Sequence, residues 1–318
     1  MIAFSTDDVA PQHRFDHWRE ERSRALFGVT IEVEPERRAV FEGHFSAVSV
    51  GCATLAEMKA SSYIVSRTKA DIARLSADSL SIGYQIRGPG WMDAGEERVN
   101  FLEEGKFAVT YSDLPHKGTP LRSDGFHFRS LRVPLAAFPD LARPSRQLWG
   151  RPTIGSPQLE NLFAATFEAL GAEGETLPDP QGAVRHAAQL ALLLRDAVPA
   201  GTGRSRAALR FGQFHAARRL IAQNLQRPDL SPQMIADRLA ISLRQLHLLF
   251  EPTGVSCART ILNVRLQEAR RRLMARAGEP VAQIAFACGF HSIATFYRTF
   301  KAAYGIAPGD ARPAAAAE

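Results

Sequence analysis

The chain has 318 residues, 45% hydrophobic and 23% charged, which supplies enough apolar side chains for two ordinary cores and excludes a disordered chain. No run approaches the roughly 18 to 20 apolar residues of a membrane span, and no basic segment followed by an apolar one opens the chain, so a cytoplasmic protein is expected. From Arg204 onward 17 Lys and Arg face 7 Asp and Glu, a net of +10, whereas residues 1–203 carry −4, so a module suited to a polyanion follows a mildly acidic one.

In chain order, Asp8 to Leu26 reads as a helix, with Phe15, Trp18 and Leu26 at helical intervals. From about residue 38 to 138 short apolar alternations are broken by Gly, Pro and Asp. They are Phe41 to Val50, Ser61 to Ser66, Leu80 to Arg87, Val99 to Leu102, Phe107 to Tyr111 and Phe126 to Val133. Many short strands with turn signals predict a β-sandwich or small barrel.

Two helical segments follow within about 157–198, with apolar stripes at Leu159, Leu162, Phe163, Phe167 and Leu170, and at Val184, Ala188, Ala191, Leu194 and Val198. Such stripes suit either a core packed on the sandwich or a dimer contact. Leu159, Phe163, Phe167, Ala188, Ala191 and Leu194 are the dimer candidates. Pro, two Gly and small polar residues then predict a linker over 199–207. The expected domains are therefore 1–198 and 208–318. Cys52, Cys257 and Cys288 are odd in number and widely spaced, which supports neither a disulfide framework nor a zinc site, and reduced thiols are expected.

The last third carries the informative pattern. Ser231 and Pro232 open a helix with Ile235 and Leu239 facing inward, the chain turns at Ala240 and Ile241, and Ser242 caps a second helix from Leu243 to Phe250. About fifty residues on, Glu279 and Pro280 open a helix containing Ile284 and Ala285. Gly289 permits the turn, Phe290 plugs the core, and Ser292 caps Ile293 to Lys301. Between the copies, Cys257 to Ala275 forms one long helical pattern of roughly 30 Å at 1.5 Å per residue. That approaches the ~34 Å between successive major-groove faces of B-DNA, so one chain would place two reading helices in adjacent grooves.

The run Ile284-Ala285, Gly289-Phe290, Phe296, Arg298, Phe300-Lys301, Gly305 and Pro308, preceded by Arg265-Leu266 and Ala269, resembles the signature of the AraC/XylS family of bacterial transcription regulators over about residues 208–313. More loosely, Phe41-Glu42-Gly43, Leu80 to Arg87, Gly105, Tyr111, Asp113, Pro115 and Val133-Pro134 resemble the effector domain of the branch that handles benzoate-like and phenylacetaldehyde-like compounds. The resemblance implies two domains. The first is α+β, a cupin-like sandwich or barrel with dimerisation helices. The second is all-α, two helix-turn-helix motifs joined by a long helix. It also implies promoter DNA as partner, a homodimer, and activation through RNA polymerase.

Arg244, His247 and Leu248 in the first copy, and Ala294, Thr295 and Arg298 in the second, match the family's base-reading positions. Arg244 would donate two parallel hydrogen bonds to guanine, His247 one to a base edge, and Thr295 offers a hydroxyl and a methyl. Leu248 departs from the family, where Arg or another polar residue is common, and Ala294 is similarly plain. Ser242, Ser292, Lys301 and Arg265 would position phosphates, while Arg270, Arg271 and Arg272 suit phosphate contact or a solvated face equally.

No nucleophile elbow, dinucleotide fingerprint or phosphate loop occurs, and His44, His116 and His127 alone among nine histidines lie in the β region, without a His-x-His and following Glu. A protein that is no enzyme, with no metal and no cofactor, is expected. A small organic effector would sit in a mostly apolar pocket for which Tyr63, Tyr84, Arg87, Trp91 and Tyr111 are candidates, Arg87 suiting a carboxylate. The alternatives are a ligand-independent regulator whose β-domain only dimerises, and a cupin-type enzyme fused to a DNA anchor.

Overall fold

The computed structural model describes residues 2–25, 28–94, 99–120, 124–148, 151–152, 156–275 and 278–312. The chain divides into two compact units, Met1–Gly212 and Gln213–Glu318.

In the first unit the strands are β1 (Ile2–Ser5), β2 (Thr30–Glu32), β3 (Gly43–Val50), β4 (Ala53–Ala60), β5 (Ile64–Arg67), β6 (Ser79–Arg87), β7 (Gly90–Asp93), β8 (Val99–Leu102), β9 (Phe107–Tyr111), β10 (His116–Pro120), β11 (Phe126–Pro134) and β12 (Arg151–Pro152). The helices are α1 (Arg14–Ala25), α2 (Lys69–Arg74), α3 (Pro139–Arg146), α4 (Pro157–Glu173), α5 (Pro180–Leu194) and the start of α6 (Gly203–Asn224). Of the expected first helix, Leu26 lies outside the described residues.

Every strand pair is antiparallel. One sheet runs β1-β3-β4-β11-β6-β9-β12 and the other β2-β5-β10-β7-β8. The strand period of two sorts the large sheet into two faces. Leu55, Leu80, Ile82, Phe107, Val109, Leu131 and Val133 form one core with α4 and α5. Phe45, Ala47, Ala56, Met58 and Ala60 look the other way, into a second core shared with Ile31 of the small sheet and with Phe15, Trp18, Phe41, Tyr63 and Phe126. Gly43 is required there, because a Cβ on it would stand 2.5 Å from the Trp18 ring.

Two expectations need correction. Phe163, Phe167, Ala188, Ala191 and Leu194 each expose 1% or less and belong to the core between helices and sheet, with Leu159 packed at its margin. One face of the large sheet carries only apolar side chains at its centre, and α4 and α5 are what covers it, so those stripes are spent within the chain. The 199–207 stretch is no loose connector either. Ser205 is fully buried, donates to the Pro199 carbonyl at 2.7 Å and accepts from Gln189 at 3.1 Å, while Thr202 Oγ1 accepts from the Ser205 amide and caps α6. The division between units falls inside α6, after Gly212.

In the second unit the remainder of α6 is followed by α7 (Pro232–Arg238), α8 (Leu243–Phe250), α9 (Cys257–Ala275), α10 (Val281–Ala287) and α11 (Ile293–Tyr304). Phe214 of α6 meets Phe250 edge to face at 5.2 Å, beside buried Ile235, Leu239, Leu246 and Leu249. The second core joins Leu266, Ala269 and Leu273 of α9 to Ile284, Ala285, Cys288, Phe290, Phe296 and Phe300. No described helix is long and apolar enough to cross a membrane.

Candidate nucleic-acid interface

Both helix pairs use one turn design. Ala240 takes a φ of 51° and the Ile241 amide then returns to the Ala236 carbonyl at 3.1 Å, while Gly289 takes 79° and the Phe290 amide returns to Ala285 at 3.1 Å. The left-handed residue reverses the chain and the next residue closes the turn on the preceding helix. Ser242 then caps α8 by accepting from the Gln245 amide, and Ser292 caps α11 by accepting from Thr295.

With the two capping serines aligned, five positions are exposed in both copies, all on the reading helices except Glu251, which directly follows α8. They are Arg244 and Ala294, Gln245 and Thr295, His247 and Tyr297, Leu248 and Arg298, and Glu251 and Lys301. The buried positions alternate with them, as Leu246 and Phe296, and as Phe250 and Phe300. All six sequence-derived base-reading residues thus lie on the two outward faces. A concave surface of about 820 Å³ beside α8 is lined by Leu243, Arg244, His247, Leu248, Glu251 and Val255, among others. Tyr297 was missed by sequence reasoning, although the quasi-repeat puts it opposite His247.

The caps differ in a way the sequence does not announce. Gln245 Oε1 accepts from the Ser242 amide at 2.9 Å and from its hydroxyl at 3.2 Å, closing a capping box that commits the Gln245 side-chain oxygen and the Ser242 proton. Thr295 is too short to do the same for Ser292.

Arg265 does not face outward with the candidate phosphate groups. Its Nε donates to the Leu225 carbonyl at 3.0 Å and its Nη2 to the Arg227 carbonyl at 2.5 Å, so it staples α9 to the residues just after α6. Burial pulls its pKa below the ordinary value. Arg271 and Arg272 bind Glu268 at 2.7–2.8 Å, and the resulting hydrogen bonds pull the Glu268 carboxyl down to about 2. Arg270 stacks over the Tyr304 ring at 4.8 Å. Arg271 and Arg272 thus brace α9 itself, and Arg270 ties it to α11.

The five effector candidates do not line one hollow. Tyr63 is buried in the aromatic core against Phe126, and Tyr84 stacks on Phe107 at 4.5 Å on the helix-covered face. Tyr111 shares that face and donates to Asp78 at 3.0 Å. Arg87 is exposed and pairs with Asp124 at 3.2 Å. Trp91 pairs in register with Phe101, which is 63% exposed, so both lie on the outer face of the small sheet. Among the described residues no three His, Cys, Asp or Glu are grouped to hold a metal.

Two helix-turn-helix motifs strung on one long helix, behind a two-sheet domain, define a two-domain helix-turn-helix protein. A family model described as an AraC-like ligand binding domain matches residues 65–193, and one described as a helix-turn-helix domain matches residues 235–314. The chain thus joins an AraC-like ligand binding domain to a helix-turn-helix domain. It is 34% identical over 91 residues to the transcriptional activator NphR of Rhodococcus sp, covering 29% of this chain and 27% of that one. It is 33% identical over 98 residues to the transcriptional activator RhrA of Rhizobium meliloti (strain 1021), covering 30% and 31%. The chain thus spans less than a third of the length of these curated relatives. The crystal structure of the AraC-like transcriptional activator CuxR is similar over 90% of this chain and all of that one, with a TM-score of 0.53 and 20% identity, a likeness of fold.

Proposed function

We propose that the chain is a sequence-specific DNA-binding transcription activator governed by a small organic effector, without catalytic activity of its own. The observation that carries this reading is the pair of outward faces with five equivalent exposed positions each, set on a 19-residue helix of roughly 28 Å, close to the ~34 Å repeat of the major groove. Arg244 and Arg298 are suited to bidentate contact with guanine, and Leu248 to a thymine methyl. Lys301 and the hydroxyl of Ser292 are the groups for phosphate, the Ser242 proton being held by Gln245 in the capping box.

Selection of duplexes from a random pool by the full chain tests it. A single motif with two half-sites about one helical turn apart is expected, with Arg244→Ala relaxing one base pair by about 1–3 kcal/mol. Equal losses on matched and mismatched duplexes would sink the assignment of Arg244.

The effector seat favoured here lies between the sheets. On the central strands Ser81, Thr110 and Ser130 stay half-buried, whereas Leu80, Ile82, Val109 and Leu131 on the opposite face are fully buried. Arg132 pairs in register with Ser81 and shares its face. Hydroxyls beside a guanidinium suit a small organic acid. A thermal-shift screen of aromatic and aliphatic acids checks this, since a ligand held by the folded state raises its melting temperature by mass action. Contact with RNA polymerase and a homodimer belong to the same proposal, the dimer using surface other than the five core side chains Phe163, Phe167, Ala188, Ala191 and Leu194.

A further inference from the structure

The two outward faces share a plan, and their differences sort by charge. Across α8 and the residue that follows it, Arg244 is offset by Glu251. On α11, Arg298 and Lys301 stand with no acid among the five positions. Among the described residues none of these four side chains forms an ion pair. Arg244 and Glu251 are seven residues apart, as are Ala294 and Lys301, which is about two turns or roughly 10 Å along one helix face. A helix seated in a groove about 12 Å wide with one of these positions at the base edges brings the other toward the rim, where the phosphates are. At that rim the first copy presents a carboxylate and the second an ammonium. In the first copy, moreover, the Gln245 side-chain oxygen is held in its own cap, while in the second Thr295 and Tyr297 carry a hydroxyl each.

We infer that the two copies divide the work on DNA: α11, whose outward face carries no acid, grips the backbone of any duplex through Lys301, and α8 selects bases while Glu251 suppresses an indiscriminate grip. This rests on both helices facing DNA, as proposed above. The gain is specificity. A carboxylate near a phosphate is tolerated only where base contacts by Arg244, His247 and Leu248 compensate, so wrong sequences are rejected at the first copy. Meanwhile the second copy keeps the protein near DNA by counterion release, which takes no account of sequence.

Titrations of the full chain against a random-sequence duplex, over a range of salt concentrations, together with selection from a random pool, decide the matter. Lys301→Ala is expected to weaken random-duplex binding and to flatten the slope of log K against log salt by about 0.9. Glu251→Lys is expected to strengthen random-duplex binding about threefold or more, to steepen that slope by about 0.9, and to lower the ratio of selected to random affinity. Arg244→Ala should broaden the selected motif at one base pair and cost random-duplex binding less than Lys301→Ala does. The division of labour is overturned if Glu251→Lys leaves the slope unchanged, or if Arg244→Ala costs random-duplex binding as much as Lys301→Ala. Failure of the unsubstituted chain to bind any duplex is a separate result, which removes the DNA-facing assignment itself.

Discussion

Arg67 Nη2 donates to the Asp113 carboxylate at 2.6 Å, and the two side chains expose only 1% and 6% of their surface. The Asp113 carboxylate also accepts from the Ser76 hydroxyl at 2.6 Å and from the Ala77 and Asp78 amides at 3.0–3.1 Å. Arg67 in turn donates to the carbonyls of Gly28 and Leu75. The pair thereby ties the end of β5 to the turn that enters β6.

Burial alone would raise the Asp113 pKa, but the Ser76 hydroxyl, the two amides and the Arg67 guanidinium overrule it and hold the carboxyl well below the usual range. A group depressed in the folded state contributes stability that is complete above its unfolded pKa near 3.9 and lost as pH falls through the folded value. Asp113→Ala leaves a buried guanidinium without its carboxylate and should cost about 3–5 kcal/mol at pH 7. The deficit relative to the unsubstituted chain should shrink below about pH 4, where the native carboxylate begins to lose its advantage. Urea melts across that pH range read both effects.

The staple at Arg265 separates folding from DNA contact. Arg265→Ala should lower the melting temperature of the chain and leave the salt slope of duplex binding unchanged, because its donors already serve the Leu225 and Arg227 carbonyls. A slope flattened as much as in Lys301→Ala would instead place Arg265 on phosphate.

The two turn residues predict opposite responses. A Cβ on Gly289 would collide with the Leu225 carbonyl and lie 3.0 Å from Arg265 Nε, at a φ that side chains avoid. Gly289→Ala should destabilise by more than about 1 kcal/mol. Ala240 already has φ 51° and is exposed, so Ala240→Gly should stabilise slightly, by about 0.5 kcal/mol. Calorimetric melts of the two variants check the signs.

Phe163 and Phe167 test where the helical stripes belong. Truncating either to Ala opens a cavity in a closed core and should cost about 3–5 kcal/mol, visible in denaturant melts at protein concentrations too low for self-association. A change in sedimentation behaviour without such a loss would put them at a dimer contact.

Thiol chemistry gives a quick check on burial. Burial pushes Cys257 and Cys288 up to about 11, so both should resist a thiol reagent at pH 8 until the chain unfolds, while half-buried Cys52 reacts first. A count of three fast thiols in the native protein would contradict the packing of α9 and α10.

Legibility in the sequence followed the range of the interaction concerned. Helix caps, turn residues and the three-to-four spacing of apolar side chains act over a few residues. The bounds of α8 and α9, the caps at Ser231, Ser242 and Ser292, and the turn at Gly289 could therefore be read directly. Tyr297 needed only a strict alignment of the two copies. The strands β1, β2, β4, β7, β10 and β12 escape the sequence reading, because stretches such as Ala53-Thr54-Leu55-Ala56 and Gly118-Thr119-Pro120 carry no clean alternation and others are only two to four residues long. Their pairing with distant partners makes them strands.

What the amino acids determined alone was the family, the two helix-turn-helix units and the asymmetry of charge, all properties of neighbouring residues or of simple counts. What only the tertiary structure decided was the use to which ambiguous side chains are put. An apolar stripe on α4 is the same string of letters whether it meets a sheet or a second copy, and Arg265 is the same cation whether it meets a phosphate or two carbonyls. Those choices depend on which surfaces the folded chain brings within a few ångströms, because burial and hydrogen bonding act only at contact.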